Sequence, residues 1–233
     1  MKRISFAALA LASFLAAAPA SAATLVTNGD FEAGNTGFTS DYTFRTGGNT
    51  AAAEYTVGTN PKAFNSNFVT AGDNTTGTGN MLIVNGSQNL NDIVWQSQII
   101  PISSLTDYFF EAFVMSVFPR NPSVLTFTVS LDGGPETVLN TFNLPRTTGE
   151  WNGLSTTFNS GSATNATLRL KNAQTAFGGN DFAVDDISLS VTSVVNPAPA
   201  IPEPSTWLMM MLGLGVVGGT MRLAKKRHIA RFA

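Results

Sequence analysis

Between roughly residues 24 and 194 the chain sets short apolar runs, rich in β-branched and aromatic residues, between clusters of Gly, Asn, Thr and Pro. That rhythm predicts an all-β body. Leu125, Phe127, Val129 and Leu131 alternate with Thr126, Thr128 and Ser130, and Asp132-Gly133-Gly134-Pro135 then turns the chain into 137–142, which predicts a hairpin. Ala166, Leu168 and Leu170 alternate with Thr167, Arg169 and Lys171, so one face is buried and the other wet. Further strands are predicted over 24–27, 42–46, 53–57, 81–85, 93–100, 108–117, 154–158 and 182–191. The polar stretches 34–39, 47–50 and 72–80 read as loops, and 195–200 as a Pro/Ala linker. About ten strands and no long helix predict a jelly-roll β-sandwich, because one open sheet of so many apolar strands would leave long edges free to pair with other chains.

Both ends break the pattern. Lys2 and Arg3 precede an apolar run over 4–18 and then Pro19-Ala20-Ser21-Ala22-Ala23, the layout of a secretory signal peptide cut by signal peptidase after Ala22. At the other end, 206–221 would rise about 24 Å as a helix, close to the roughly 30 Å hydrocarbon core. Trp207 suits one interface, and Arg222, Lys225, Lys226 and Arg227 form a basic stop at the other. Cations retained in the cytosol put the region 24–200 beyond the inner membrane. The predicted layout is a signal peptide at 1–22, a sandwich at 23–194, a linker at 195–201 and a terminal segment with a transmembrane helix at 202–233.

Pro202-Glu203-Pro204-Ser205, the Gly-containing apolar span and the basic stop, in that order, resemble the PEP-CTERM sorting signal of Gram-negative, polysaccharide-producing bacteria. The resemblance covers about the last 30 residues. It implies transient residence in the inner membrane, removal of the tail by an exosortase, and delivery of the body to the cell surface or extracellular matrix of a biofilm. Taken alone, the residues also allow a permanent anchor behind a stiff Pro linker.

Charge and missing residue types narrow the function. The formal net charge of −2 averages a basic tail with an acidic body: between residues 24 and 200, six bases face fourteen acids, a balance of −8. Nucleic acid, which needs a cationic footprint, is excluded as a partner. An acidic polysaccharide would need a bridging cation or a local basic spot. The chain has no cysteine to form a disulfide, and its one histidine, His228, lies in the basic tail, so the body can hold no Ser/His/Asp or Cys/His site and no His-ligated zinc. A glycosidase-type carboxylate pair remains, with Glu54, Glu111, Glu136 and Glu150 available and nothing in the sequence to pair them. The expectation is a protein that is not an enzyme.

Five segments resemble, in order, the galactose-binding-like jelly rolls that include many carbohydrate-binding modules. They are Leu25-Val26-Thr27-Asn28-Gly29-Asp30-Phe31-Glu32, Trp95-Gln96-Ser97-Gln98-Ile99, Leu131-Asp132-Gly133, 151–158, and Phe182-Ala183-Val184-Asp185-Asp186-Ile187-Ser188-Leu189. The resemblance implies exopolysaccharide as a partner and Glu32 and Asp185 as side-chain ligands of a structural Ca²⁺. Strict alternation would place Asp185 with Ile187 and Leu189, facing inward, and Asp186 on the opposite face, so that only Asp185 joins Glu32. The bland reading of the same residues is a plain turn at Asn28–Asp30 and two solvated aspartates. Sugar rings stack on exposed aromatics, for which Trp151, Tyr42 and Tyr55 are the candidates, whereas Trp95 shares a strand face with Ile93 and Ile99 and is assigned to the core. The sequons at Asn74, Asn85 and Asn165 arise readily in Asn/Thr-rich sequence and are discounted. The expected function is exopolysaccharide binding or association outside the cell. A glycoside hydrolase, or a structural coat protein without glycan affinity, stands as the alternative.

Overall fold

A computed structural model describes residues 24–192 and, beyond them, Leu212. The described strands are β1 (Phe38–Thr39), β2 (Thr43–Phe44), β3 (Glu54–Gly58), β4 (Met81–Asn85), β5 (Ile93–Ser97), β6 (Ile100–Pro101), β7 (Asp107–Ser116), β8 (Val124–Leu131), β9 (Glu136–Asn143), β10 (Asn152–Asn159), β11 (Asn165–Asn172) and β12 (Phe182–Val191), with one short helix α1 (Pro61–Phe64). They form two six-stranded sheets, one ordered β1-β5-β11-β8-β9 with β6 also on β11, the other β10-β7-β12-β4-β3-β2. The inner faces meet in one core, to which Trp95, Phe127, Leu168 and Leu170 come from the first sheet and Val84, Phe110, Val114, Phe182 and Leu189 from the second. Phe110 stacks on Phe127 across the interface at 4.5 Å between ring centroids. Full burial of each such side chain contributes about 1.5–3 kcal/mol over leaving it in water.

The outer face of the second sheet is divided. At one end Met81, Ile83, Met115 and Ala183 are covered by Phe64 and Phe68 and form a second small core. The covering segment is set by α1, whose first turn is capped by Asn60 accepting from the Lys62 backbone N–H at 3.0 Å, with Pro61 at the start of the helix. At the other end Phe109, Glu111 and Phe113 are only half-buried, with Ser188 and Ser190 beside them.

The predicted hairpin β8–β9 and the alternating strand β11 form with the expected facing. Three readings are corrected. Residues 24–27 form no strand: Leu25 donates to the Leu189 carbonyl at 2.8 Å, but the Leu189 N–H goes to the Thr24 hydroxyl, so a side chain replaces the ladder. Phe38–Thr39, expected in a loop, pairs with Ser97 and Gln96. The run 93–100 divides into β5 and β6, the latter pairing separately with Ala166 and Asn165. Among the described residues no helix is long and apolar enough to cross a membrane. The predicted signal peptide, the linker and the 202–233 segment lie outside the described residues apart from Leu212.

The expected facing of Asp185 is also corrected. Asp185 pairs with Phe113 and Ser188 with Glu111, so β12 spends three steps where β7 spends two. This is a β-bulge. Its extra residue, Asp186, has φ 47°, and the strand changes phase there. Phe182 and Val184 before the bulge and Ile187 and Leu189 after it all reach the core, which leaves Asp185 on the outer face with its partner Phe113.

Candidate functional site

At one end of the sandwich the segments 49–52, 65–68, 85–88 and 176–181 enclose a cavity of about 520 Å³. Its walls are fixed by polar side chains that bond the backbone. Glu54, buried at the start of β3, accepts from the Thr50 and Ala51 N–H groups at 2.6 and 3.1 Å and pairs with Arg45. Burial alone would raise its pKa; the Thr50 N–H, the Arg45 guanidinium, the Ala51 N–H and the Thr50 hydroxyl outweigh that and bring it to about 2. Asn180, in the left-handed region at φ 55°, donates to the Ser87 carbonyl at 2.7 Å. Gly86 is required opposite it, since a Cβ there would overlap the Asn180 carboxamide. Asn172 donates to the carbonyls of Ser87, Asn89 and Gln174, at 3.0, 2.7 and 2.7 Å, tying the loop after β11 to the loop after β4.

Within this frame sit the groups that can read a ligand. Asp181 is buried, its carboxyl accepts among the described residues only the Gly86 N–H at 3.0 Å, and it is pushed up to about 7 by that burial. The carboxamides of Asn49, Asn65, Asn67, Asn85 and Gln88 line the same cavity, and among the described residues no lysine or arginine does. Phe177 stands at its rim with 81% of its surface in water, next to Gly178 and Gly179. A flat apolar ring beside amides and one carboxyl suits a ligand with an apolar C–H face and many hydroxyls, which is the chemistry of a neutral sugar.

The two residues named as metal ligands meet a common loop instead of each other. Residues 72–80 lie against the bulge of β12. Asn74 N–H donates to Asp185 at 2.8 Å, and the Asn74 amide and the Thr75 hydroxyl donate to Asp186. Both aspartates therefore hold the loop, and strict alternation, which would separate them, fails because of the bulge. Glu32 accepts the Asn80 N–H at 2.6 Å from the far end of the loop. Asp73 holds the loop from within, accepting from Thr76 and Gly79 N–H groups; burial works against its ionised form, but these bonds prevail and lower its pKa. Asp185 is driven the other way, to about 7, chiefly by burial and next by the charges of Asp186 and Asp73, which its bonds from the Asn74 and Asp186 N–H groups only partly offset. Among the described residues no three His, Cys, Asp or Glu side chains are placed together to hold a metal ion.

The aromatic candidates part company. Tyr42 and Tyr55 are buried, and the expectation of exposed rings is corrected for both: the Tyr42 hydroxyl accepts the Ser87 N–H at 3.1 Å, and the Tyr55 hydroxyl donates to Asn35 at 2.8 Å. Neither presents a face for stacking. Trp151 is half-buried against the second small core and donates from Nε1 to the Gly72 carbonyl at 3.1 Å. Trp95 is fully buried. Pro202, Glu203, Pro204 and Ser205, with Arg222, Lys225, Lys226 and Arg227, lie outside the described residues. Sequence reasoning passed over Phe177 and Asp181, although Ala176-Phe177-Gly178-Gly179 carries a signal: a large apolar residue followed by two glycines has no strand to bury it.

Residues 200–227 match the PEP-CTERM protein-sorting motif. That motif implies processing by an exosortase, and hence export through the membrane in Gram-negative bacteria. Among curated protein sequences none matches the chain. Solved structures similar to it include the CBM22-1-CBM22-2 tandem domain of Paenibacillus barcinonensis Xyn10C, at 18% identity and TM-score 0.47 over 79% of this chain and 50% of that one. The CBM22-1 xylan-binding domain of the same enzyme is similar at 14% identity and TM-score 0.42, over 75% of this chain and 97% of its own. The CBM22-1-GH10 modules of a Clostridium thermocellum xylanase, complexed with xylohexaose, are similar at 18% identity and TM-score 0.43, over 74% of this chain and 28% of theirs.

Proposed function

We propose that this chain is an exported, non-enzymatic jelly-roll protein that binds neutral exopolysaccharide through the cavity between residues 49–52, 85–88 and 176–181. An exosortase acting at Pro202-Glu203-Pro204-Ser205 releases it to the cell surface or matrix. The observation that carries the reading is Phe177, a large ring left in water at the mouth of a cavity lined by amides and the Asp181 carboxyl. Ile99 and Leu105 are similarly exposed, but of these three Phe177 is the one that borders the amide-lined cavity, where a ligand would cover its ring. Trp151 keeps only an indirect part, through its bond to the loop at Gly72.

Affinity electrophoresis of the protein in gels cast with neutral matrix polysaccharides tests this. Retardation lost in Phe177→Ala, with an unchanged melting temperature, is the expected result. No retardation by any polysaccharide would favour a structural coat protein, and release of reducing sugar would favour the hydrolase. Mass spectrometry of the mature termini tests the sorting: a chain in the medium that still ends in Phe232-Ala233 would overturn it.

A structural Ca²⁺ belongs to the same proposal. Glu32 and Asp185, which hold opposite ends of the 72–80 loop through the Asn80 and Asn74 N–H groups, would be its side-chain donors, and the ion would have to draw them together and complete its shell from oxygens of the loop.

A further inference from the structure

The uncovered half of the second sheet's outer face is a cleft of about 640 Å³, separate from the cavity at the loop end. Its floor is β7, whose outward residues Phe109, Glu111 and Phe113 stand between two rows of small ones. On one side Ser190 pairs with Phe109 and Ser188 with Glu111. On the other, Thr157, Ser155 and Gly153 pair with the same three residues. A Cβ on Gly153 would lie 3.4 Å from the Phe113 ring and 3.7 Å from Glu111 Oε1, so the missing side chain keeps both open to the cleft. The two rings are four positions apart, about 13 Å along a strand, which is longer than one sugar ring.

The walls choose the occupant. Asp30, from the first turn of the body, and Asp186, from the bulge, line the cleft with Glu111, and among the described residues no lysine or arginine does. Asp186 is engaged by Asn74 and Thr75, but the Glu111 carboxyl has burial and the Asp186 charge against its ionised form and no hydrogen bond in its favour. Two aromatic faces flanking an unneutralised carboxylate recognise a ligand that is flat, partly apolar and cationic.

We propose that this cleft binds a polysaccharide carrying free amino groups, with hexosamine rings against Phe109 and Phe113 and an ammonium on Glu111. The site is independent of the Phe177 cavity, and the body's charge of −8 favours a cationic polymer over an anionic one.

The test is isothermal titration of the full chain in mild detergent with a glucosamine hexamer and with its fully N-acetylated counterpart. The glucosamine hexamer should bind at least tenfold tighter, the difference should shrink as salt rises, and Glu111→Gln should reduce its affinity at least tenfold. Ser188→Lys, which places a cation opposite Glu111 without removing a carboxylate, should block it, and Phe177→Ala should leave it unchanged. Thermal melts of each variant verify folding. Equal binding of the two hexamers, absence of binding, or full binding in folded Glu111→Gln or Ser188→Lys protein would overturn the proposal. Loss of glucosamine binding in Phe177→Ala would move the ligand to the loop-end cavity and overturn it equally.

Discussion

Asn74 donates its backbone N–H to the carboxylate of Asp185 at 2.8 Å, a bond that closes 111 positions of sequence. Through it the 72–80 loop is fastened to the bulge of the last strand, and Glu32 fastens the other end of the loop to the first turn of the body. Asp185→Ala removes one acceptor and leaves the Asn74 and Asp186 N–H groups without their partner. The expected cost is about 1–3 kcal/mol per stranded group. Chemical denaturation should read that loss, and hydrogen exchange should show faster exchange at residues 72–80 while β8 and β11 keep their protection.

The same junction gives a metal test. If calcium completes the carboxylate and loop oxygens, EDTA should lower the melting temperature of the wild-type protein and have no effect on Asp185→Ala. A wild-type melt identical with and without chelator would leave the loop N–H groups as the sole partners.

Gly29 has no room for a side chain, because a Cβ there would overlap the carbonyl oxygen of Ile187, and Gly29 itself accepts the Ile187 N–H at 2.8 Å. Gly29→Ala should therefore push the first turn off β12 and destabilise the fold by about 1–3 kcal/mol or more, as overpacking does. Urea unfolding is the measurement. An unshifted midpoint would mean that the contact is not needed for stability.

Two carboxyls predict opposite arms of a pH–stability curve. Burial raises Asp181 from 3.8 to about 7, so the folded protein holds a proton that the unfolded chain releases; its contribution is full below the unfolded value and is lost as pH rises toward 7. Glu54 is lowered from 4.5 to about 2, and its contribution is present above 4.5 and lost as pH falls toward 2. Melting temperatures from pH 2 to 8 should pass through a maximum in the weakly acidic range. Asp181→Asn should make the neutral arm shallower, with Asp185, also raised to about 7 by burial, supplying what remains, and leave the acid arm unchanged.

Strand β11 was legible because every second residue is buried and those between are half-exposed, so that alternation in Ala166–Lys171 maps directly onto the sheet; β8 was legible from Leu125, Phe127 and Val129, although Thr128 and Ser130 on its polar face are buried as well, and β9, which has no buried residue, from the turn that precedes it. The phase of β12 was not, because Asp186 adds one residue that reads as ordinary alternation until a partner strand shows the extra step. For the same reason Asp185 was aimed at the wrong face, although its burial and its place near the N-terminal turn were expected. Ring exposure was the least legible property. Tyr42 and Tyr55 look amphipathic in sequence, yet each is covered and spends its hydroxyl on one internal bond, whereas Phe177, the most apolar of the three, is the one left in water.

β12 lies in the interior of its sheet, bonded to β7 along one side and to β4 along part of the other, and among the described residues it is the last strand ahead of the sorting motif at 200–227. Tension applied from the C-terminal end therefore acts on an interior strand and not on an edge. Its last residues, Ser188 to Val191, are laddered to β7 alone and the β4 ladder is confined to Phe182–Val184, so a load at that end is carried first by β7 and reaches β4 only after the bulge has given way.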